Sequence, residues 1–210
     1  AGQPPTRAEV WLPLIGAHHV SNAAAAAAFA IAAGLEPAEV ADSLSRVEHR
    51  SHWRMELVVR PDGAAIINDA YNANPDSMAA AIDTLGAIAA TRRAADPGSR
   101  SIAIVGDMLE LGAQSAESHR EVGRRAAAAG ISLVLAIGEQ AHHVVEGAEL
   151  GGLAARVVTA DEASSLDLRA GDVVLVKASR GLALDKVARR LTESLGSGSV
   201  GDNDESGDVA

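Results

Sequence analysis

The sequence predicts an α/β fold, a Rossmann-like and mostly parallel sheet with helices on both faces, spanning residues 47–195 behind a short helical lead. Residues 101–105, 133–137 and 173–177 are continuous apolar runs, as strands covered on both faces are. Helix-length stretches separate them, and parallel neighbours need such crossovers. A hairpin opens the domain: Met55, Leu57 and Val59 alternate before Asp62-Gly63, and residues 64–68 form a second run after it.

Taken in order, residues 10–15 are a strand-like run. Residues 21–33 read as a helix capped by Ser21 or Asn22 and ended by Gly34. A second helix fits 37–47, with Pro37 in its first turn and Val40, Leu44 and Val47 on one face. These two helices have little to bury by themselves and read as the end of a domain whose sheet lies upstream. After the hairpin, Asp76 or Ser77 is expected to cap a helix reaching about Arg93, and Pro97-Gly98 breaks the chain. Further helices are predicted at 115–129, 139–147 and 182–195, and a further strand at 156–159. Residues 196–210 are Gly, Ser, Asp, Asn and Glu with almost nothing apolar, so they are expected to be a disordered tail.

Of the 210 residues 48% are hydrophobic but only 2% aromatic, so the core must close through alanine and other small side chains. There is no cysteine, which excludes disulfides, thiolate catalysis and thiolate metal sites. The formal charge of -10 argues against nucleic acid, which needs clustered Lys and Arg. No strongly apolar window is long enough to cross a bilayer, and even residues 20–35 are mostly alanine, so no membrane insertion is expected. Residues 1–7 lack both a secretory pattern and an initiating Met, and read as a cut from something longer.

Ligands of an open parallel sheet meet the loops at the carboxyl ends of its strands. Three such loops are unusually polar: Asn68-Asp69-Ala70-Tyr71-Asn72-Ala73-Asn74-Pro75, Gly106-Asp107-Met108-Leu109-Glu110-Leu111-Gly112, and Lys177-Ala178-Ser179-Arg180-Gly181. In the first, Asp69 suits ribose hydroxyls and Asn72 and Asn74 suit a peptide, although helix capping uses the same residue types. In the second, Asp107 and Glu110 are either solvated turn residues or a receptor for an amine. In the third, Lys177, Ser179 and Arg180 form either a cationic cluster for carboxylate or phosphate, or an ordinary strand end. The pairs His18-His19 and His142-His143 are expected to point apart, as neighbours in an extended segment do, so no metal site is assigned to them. His119 is expected on a helix surface. No Gly-x-x-x-x-Gly-Lys-[Ser/Thr] loop occurs to cradle a triphosphate.

The strings themselves carry a resemblance. Asp69-Ala70-Tyr71-Asn72-Ala73-Asn74-Pro75-Asp76-Ser77-Met78, Gly106-Asp107-Met108-Leu109-Glu110-Leu111-Gly112 with Ser115, His119 and Val122-Gly123 beyond it, and Val174-Leu175-Val176-Lys177-Ala178-Ser179-Arg180 match in order and spacing. Upstream stands Gly16-Ala17-His18-His19-Val20-Ser21-Asn22-Ala23. Over residues 10–195 the sequence resembles the Mur ligase family, and within it the branch that adds D-alanyl-D-alanine to UDP-N-acetylmuramoyl-tripeptide.

That resemblance implies a cytoplasmic three-domain ligase of cell-wall precursor synthesis. Residues 1–46 would end its central ATP-binding domain, residues 47–195 would be the C-terminal domain, and 196–210 a tail. ATP and Mg2+ would be held mainly upstream, because the family's phosphate loop, metal ligands and carbamylated lysine fall before residue 1, and the chain alone would be inactive. The reaction would proceed by an acyl phosphate that the free amine of D-alanyl-D-alanine attacks. His18, Asn22, Arg54 and Asp69 would face the nucleotide, with Arg54 and Lys177 as catalytic cations. Asn72, Asn74, Asp107, Glu110, Ser179 and Arg180 would belong to the substrate side. His19 stands where the family usually has Asn, and Ala178 where it has Gly. Other ligases of the superfamily, such as the diaminopimelate-adding enzyme or folylpolyglutamate synthase, and a non-catalytic Rossmann-like binding module are the alternatives; Tyr71-Asn72-Ala73-Asn74 argues against the former.

Overall fold

The computed structural model describes residues 7–47 and 52–194. Two helices come first, α1 (His18–Ala32) and α2 (Pro37–Ser45). The sheet domain then runs β1 (Glu56–Val59), β2 (Ala65–Asp69), α3 (Pro75–Ala95), β3 (Ser101–Gly106), α4 (Ser115–Ala128), β4 (Leu133–Ile137), α5 (Ala141–Leu150), β5 (Ala155–Val157), α6 (Ala160–Ser164), β6 (Val173–Lys177) and α7 (Asp185–Glu193). The strand order is β1-β2-β6-β3-β4-β5, with β1 antiparallel to β2 and every other pairing parallel. This is the Rossmann-like α/β arrangement that the apolar runs predict.

Alternation along the strands divides the core. Ile67, Val105, Val134 and Leu175 point toward Met78, Ile82 and Leu85 of α3, Val122 of α4 and Val144 of α5. Ile66, Ile104, Leu135 and Val176 point the other way, into a core shared with Ala163 of α6 and Val187 and Leu191 of α7. Burial on both faces explains why these strands read as unbroken apolar runs.

Several local expectations are corrected. Residues 10–15 form no strand; the Trp11 N–H is tied to Ser45 Oγ at 3.1 Å instead. Helix α1 starts at His18, not at Ser21, because the turn at Gly16 (φ 107°) already offers its carbonyl to the His19 N–H, so Ser21 and Asn22 lie inside the helix rather than at its cap. Leu57 and Val59 are exposed, since β1 is the sheet edge and is paired on one side only; Met55 is buried just ahead of it. The cap of α3 is Asn74, whose Oδ1 accepts from the Ser77 N–H at 2.8 Å while Ser77 Oγ accepts from the Asn74 N–H. Helix α7 begins at Asp185 after a short 3-10 turn, Arg180–Leu182, and α6, capped by Thr159 and Glu162, is too short to show as an apolar period in the sequence. Gly34 does end α1, and α2 does open on Pro37. The tail 196–210 lies outside the described residues. Among the described residues no helix is long and apolar enough to cross a membrane.

Small residues let the layers approach. Helices α4 and α5 cross at Gly123 and Gly147: a Cβ on Gly123 would stand 2.1 Å from the Val144 carbonyl oxygen, and one on Gly147 would stand 2.0 Å from that of Arg120. At the amino edge of the sheet, Asp172 is buried beneath Arg100, which forks onto its carboxylate, and the Arg169 N–H adds a bond of 2.9 Å. Burial alone would push the Asp172 carboxyl up, but the Arg100 guanidinium and the backbone donors outweigh it and hold the group below the ordinary carboxylate range.

Gly123→Ala and Gly147→Ala should each destabilise the domain by about 2 to 3 kcal/mol, because the added methyl meets backbone that cannot turn away. Gly152→Ala, where the position is open and the strain is only that of the positive φ (74°), should cost less, about 1 kcal/mol. Urea unfolding of the three variants decides this. For Asp172, a depressed folded-state pKa means stability that is present above the unfolded value and lost as pH falls below about 4. Between about pH 5 and about pH 3 the urea midpoint should fall more steeply in the wild-type chain than in Asp172→Asn.

Candidate functional site

The three polar loops meet because β2, β6 and β3 are neighbours in the sheet and end together. Asp69 and Lys177 are direct cross-strand partners, and Val105 flanks Lys177 on the other side. Parallel register points both ionic side chains to the α3 face of the sheet. Lys177 is 2% exposed, and its Nζ donates to Asp69 Oδ2 at 2.6 Å and to the Asn72 carbonyl at 2.9 Å. The remaining carboxylate oxygen, Asp69 Oδ1, accepts from the Met55 N–H at 3.0 Å. One buried ion pair therefore ties together the hairpin entrance, the loop after β2 and the end of β6.

The hairpin entrance is strained. Trp53 (φ 60°) and Met55 (φ 50°) both adopt the left-handed conformation on either side of Arg54. The Met55 bond to Asp69 and the Tyr71 N–H bond to the Trp53 carbonyl, 3.0 Å, hold that shape. Arg54 consequently lies over the Tyr71 ring, 4.2 Å from its centroid, and Arg180 lies over Trp53 at 3.9 Å.

A cavity of about 510 Å³ opens above the ion pair. Seven of the residues singled out in the sequence line it: His18, Asn22, Arg54, Asp69, Asn72, Asn74 and Lys177. Asp107, Glu110, Ser179 and Arg180 do not. Asp107 is buried rather than solvated; its oxygens accept from the Glu139 and Gln140 N–H groups at 2.8 and 3.0 Å, joining the loop after β3 to the start of α5. Glu110 is exposed with φ 66°. Ser179 Oγ accepts from the Leu109 N–H at 3.0 Å and donates to the Ala73 carbonyl at 3.4 Å, stitching all three loops. Of the charged residues of the third loop, Lys177 lies inside the protein and Arg180 on an indole face. Ala178 is buried and lacks a positive φ, so alanine is accommodated there.

Two readings of histidine are corrected. His119 is fully buried rather than on a surface: its Nε2 accepts from the Met108 N–H at 2.9 Å, so its Nδ1 carries the proton and donates to the Ser115 carbonyl at 2.7 Å. It shapes the loop after β3. The His18-His19 and His142-His143 pairs do not point apart; each lies in a first helical turn, with ring centroids 4.2 and 3.8 Å apart. Among the described residues no three His, Cys, Asp or Glu side chains are grouped to hold a metal ion. Trp53 and Met55 were missed as site-forming residues, and Tyr71 was read only as part of the polar loop and its motif. The only signal for Trp53 and Met55 was adjacency to Arg54, because neither left-handed conformation shows in the identity of a Trp or a Met.

The profile of the family described as "Mur ligase, glutamate ligase domain" matches residues 53–180. The UDP-N-acetylmuramoyl-tripeptide--D-alanyl-D-alanine ligase of Mycobacterium bovis is 39% identical over 92% of this chain and 41% of its own length. The enzyme of the same name from Escherichia coli is 34% identical over 89% of this chain and 39% of its own. MurF from Acinetobacter baumannii superposes with a TM-score of 0.73 at 29% identity, over 88% of this chain and 39% of that one. A Thermotoga maritima MurF solved with ADP shares the fold, with a TM-score of 0.65 at 22% identity. The chain spans about two fifths of the length of the relatives it matches. With the sheet order, the three loops and these similarities in agreement, the chain belongs to the Mur ligase family, as a domain of its C-terminal, Rossmann-like type.

Proposed function

We propose that the chain is the C-terminal part of an ATP-dependent ligase that joins D-alanyl-D-alanine to UDP-N-acetylmuramoyl-tripeptide in the cytoplasm, for peptidoglycan precursor synthesis. In this reading residues 1–46 end the central ATP-binding domain, 47–195 are the C-terminal domain and 196–210 a tail. The observation that carries it is Asp69: a carboxylate at the cavity wall, fixed by one bond on each oxygen and still holding acceptor capacity for two ribose hydroxyls. Asn22 and His18 lie across the same cavity and suit an adenine, and Arg54 suits the nucleotide phosphates. The names of the relatives supply the substrates.

ATP supplies the phosphoryl group that turns the tripeptide carboxylate into an acyl phosphate, and the amine of D-alanyl-D-alanine displaces phosphate to form the amide. The task of the described residues is to hold the nucleoside, orient the dipeptide and exclude water. Asn72 presents its side chain at the cavity rim, and the amide nitrogen of Asn74 is left over from its capping role. Asp107, Glu110, Ser179 and Arg180 support the dipeptide side through loop shape, with Arg180 the exposed cation among them. Mg2+ ligands are assigned upstream, as the family resemblance implies.

In the full-length ligase, Asp69→Asn should raise the ATP Michaelis constant about tenfold or more, a loss on the order of 1.5 to 3 kcal/mol, with a smaller effect on the dipeptide constant. Unchanged ATP kinetics would remove Asp69 from the nucleotide site. The isolated chain should release no phosphate from ATP with UDP-muramoyl tripeptide, D-alanyl-D-alanine and Mg2+, because in this reading the phosphate loop and the metal ligands that neutralise most of the transferring phosphoryl charge are assigned upstream, and Arg54 alone does not replace them. Turnover near the full-length rate would overturn this division of labour.

A further inference from the structure

We propose that Lys177 is a positioning residue: it acts on the nucleotide through Asp69, not on the reacting atoms, and couples the nucleotide wall of the cavity to the loop that carries Ser179 and Arg180. This rests on the reading of Asp69 as the ribose ligand.

Lys177 has the reach and charge of a catalytic lysine but not the freedom. Its ammonium is 2% exposed and spends two of its three donors inside the protein, on Asp69 Oδ2 and on the Asn72 carbonyl. Asp69 in turn spends its other oxygen on the Met55 N–H, at the point where the backbone is left-handed on both sides of Arg54. A carboxylate fixed from two sides has one rotamer, whereas a carboxylate held only by one amide would swing. Lys177 therefore sets the orientation that Asp69 presents to the cavity and, through Met55, the seat of Arg54 on Tyr71.

The same residue lies two positions before Ser179, whose hydroxyl bonds to Leu109 and Ala73, and three before Arg180, which lies over Trp53. Both neighbours of Arg54 are thus gripped by the loop after β6, Met55 through Lys177 and Asp69, Trp53 through Arg180. A shift of that loop on binding a dipeptide reaches the nucleotide contacts through these two grips. Coupling of this kind is reciprocal, so nucleotide at Asp69 equally orders the dipeptide loop.

The test combines kinetics of the full-length ligase with hydrogen exchange on the 210-residue chain. In the ligase, Lys177→Met should raise the ATP Michaelis constant about tenfold, as Asp69→Asn does, with kcat changed less than about threefold. The double variant should be no worse than the poorer single one, and Lys177→Arg should recover most of the loss. A fall in kcat of about a hundredfold with an unchanged ATP constant would make Lys177 catalytic and overturn the proposal, as would additive effects of the two substitutions. In the chain itself, the Met55 amide should exchange faster in Lys177→Met than in the wild type, while amides of β3 and β4 stay protected. A Met55 amide unaffected by the substitution would show that Asp69 is held without Lys177 and would equally overturn it. If Lys177→Met does not fold, Lys177→Gln, which keeps a shorter neutral donor, carries both readouts. Absence of D-alanyl-D-alanine joining by the wild-type ligase would instead defeat the proposed function, and the exchange experiment would still decide the role of Lys177.

Discussion

The Lys177–Asp69 ion pair is the constraint on which the rest of the site depends. It joins neighbouring strands at the last residues before they leave the sheet, so it sets where two loops begin. Ionic pairs removed from water are expensive, and they are kept where both partners find further hydrogen bonds. Here they do: the ammonium also reaches the Asn72 carbonyl, and the carboxylate also reaches the Met55 N–H. Stripping either partner would leave the other charge buried without compensation, so the pair behaves as one unit.

Around that unit the domain closes with little side-chain bulk. Alanine and glycine supply helix faces that lie almost backbone to backbone, as at Gly123 and Gly147, and branched aliphatic residues fill the sheet. Alanine loses no rotamer freedom on burial, which offsets the smaller apolar area each residue contributes. Such packing leaves little slack. The loops above the sheet can therefore be built from polar residues that hydrogen-bond one another, because the scaffold beneath them is rigid.

How much of this the sequence disclosed follows from the range of each interaction. Strands β3, β4 and β6 were legible because burial on both faces leaves an unbroken apolar run, and the hairpin because Asp62-Gly63 interrupts an alternating one. The polar loops were legible because Asn, Asp and Tyr crowd the segment after β2. What stayed hidden was set by distant partners. Nothing local says that Lys177 meets Asp69, that His119 is buried to accept the Met108 N–H, or that Asp107 serves α5 instead of the cavity. Residues 10–15 have strand composition but pair with no strand among the described residues, and Leu57 and Val59 alternate correctly yet face outward on an edge strand.

The stacking of Arg180 on Trp53 has an optical consequence. The chain has two tryptophans, and Trp11 is exposed while Trp53 lies partly buried beneath a guanidinium at the mouth of the site. Indole emission responds to the charge and the water next to the ring. A Trp11→Phe background would leave a single fluorophore placed where the loop after β6 touches the hairpin entrance. Its emission maximum and its quenching by iodide would then follow the separation of those two segments directly, with no label attached to the protein.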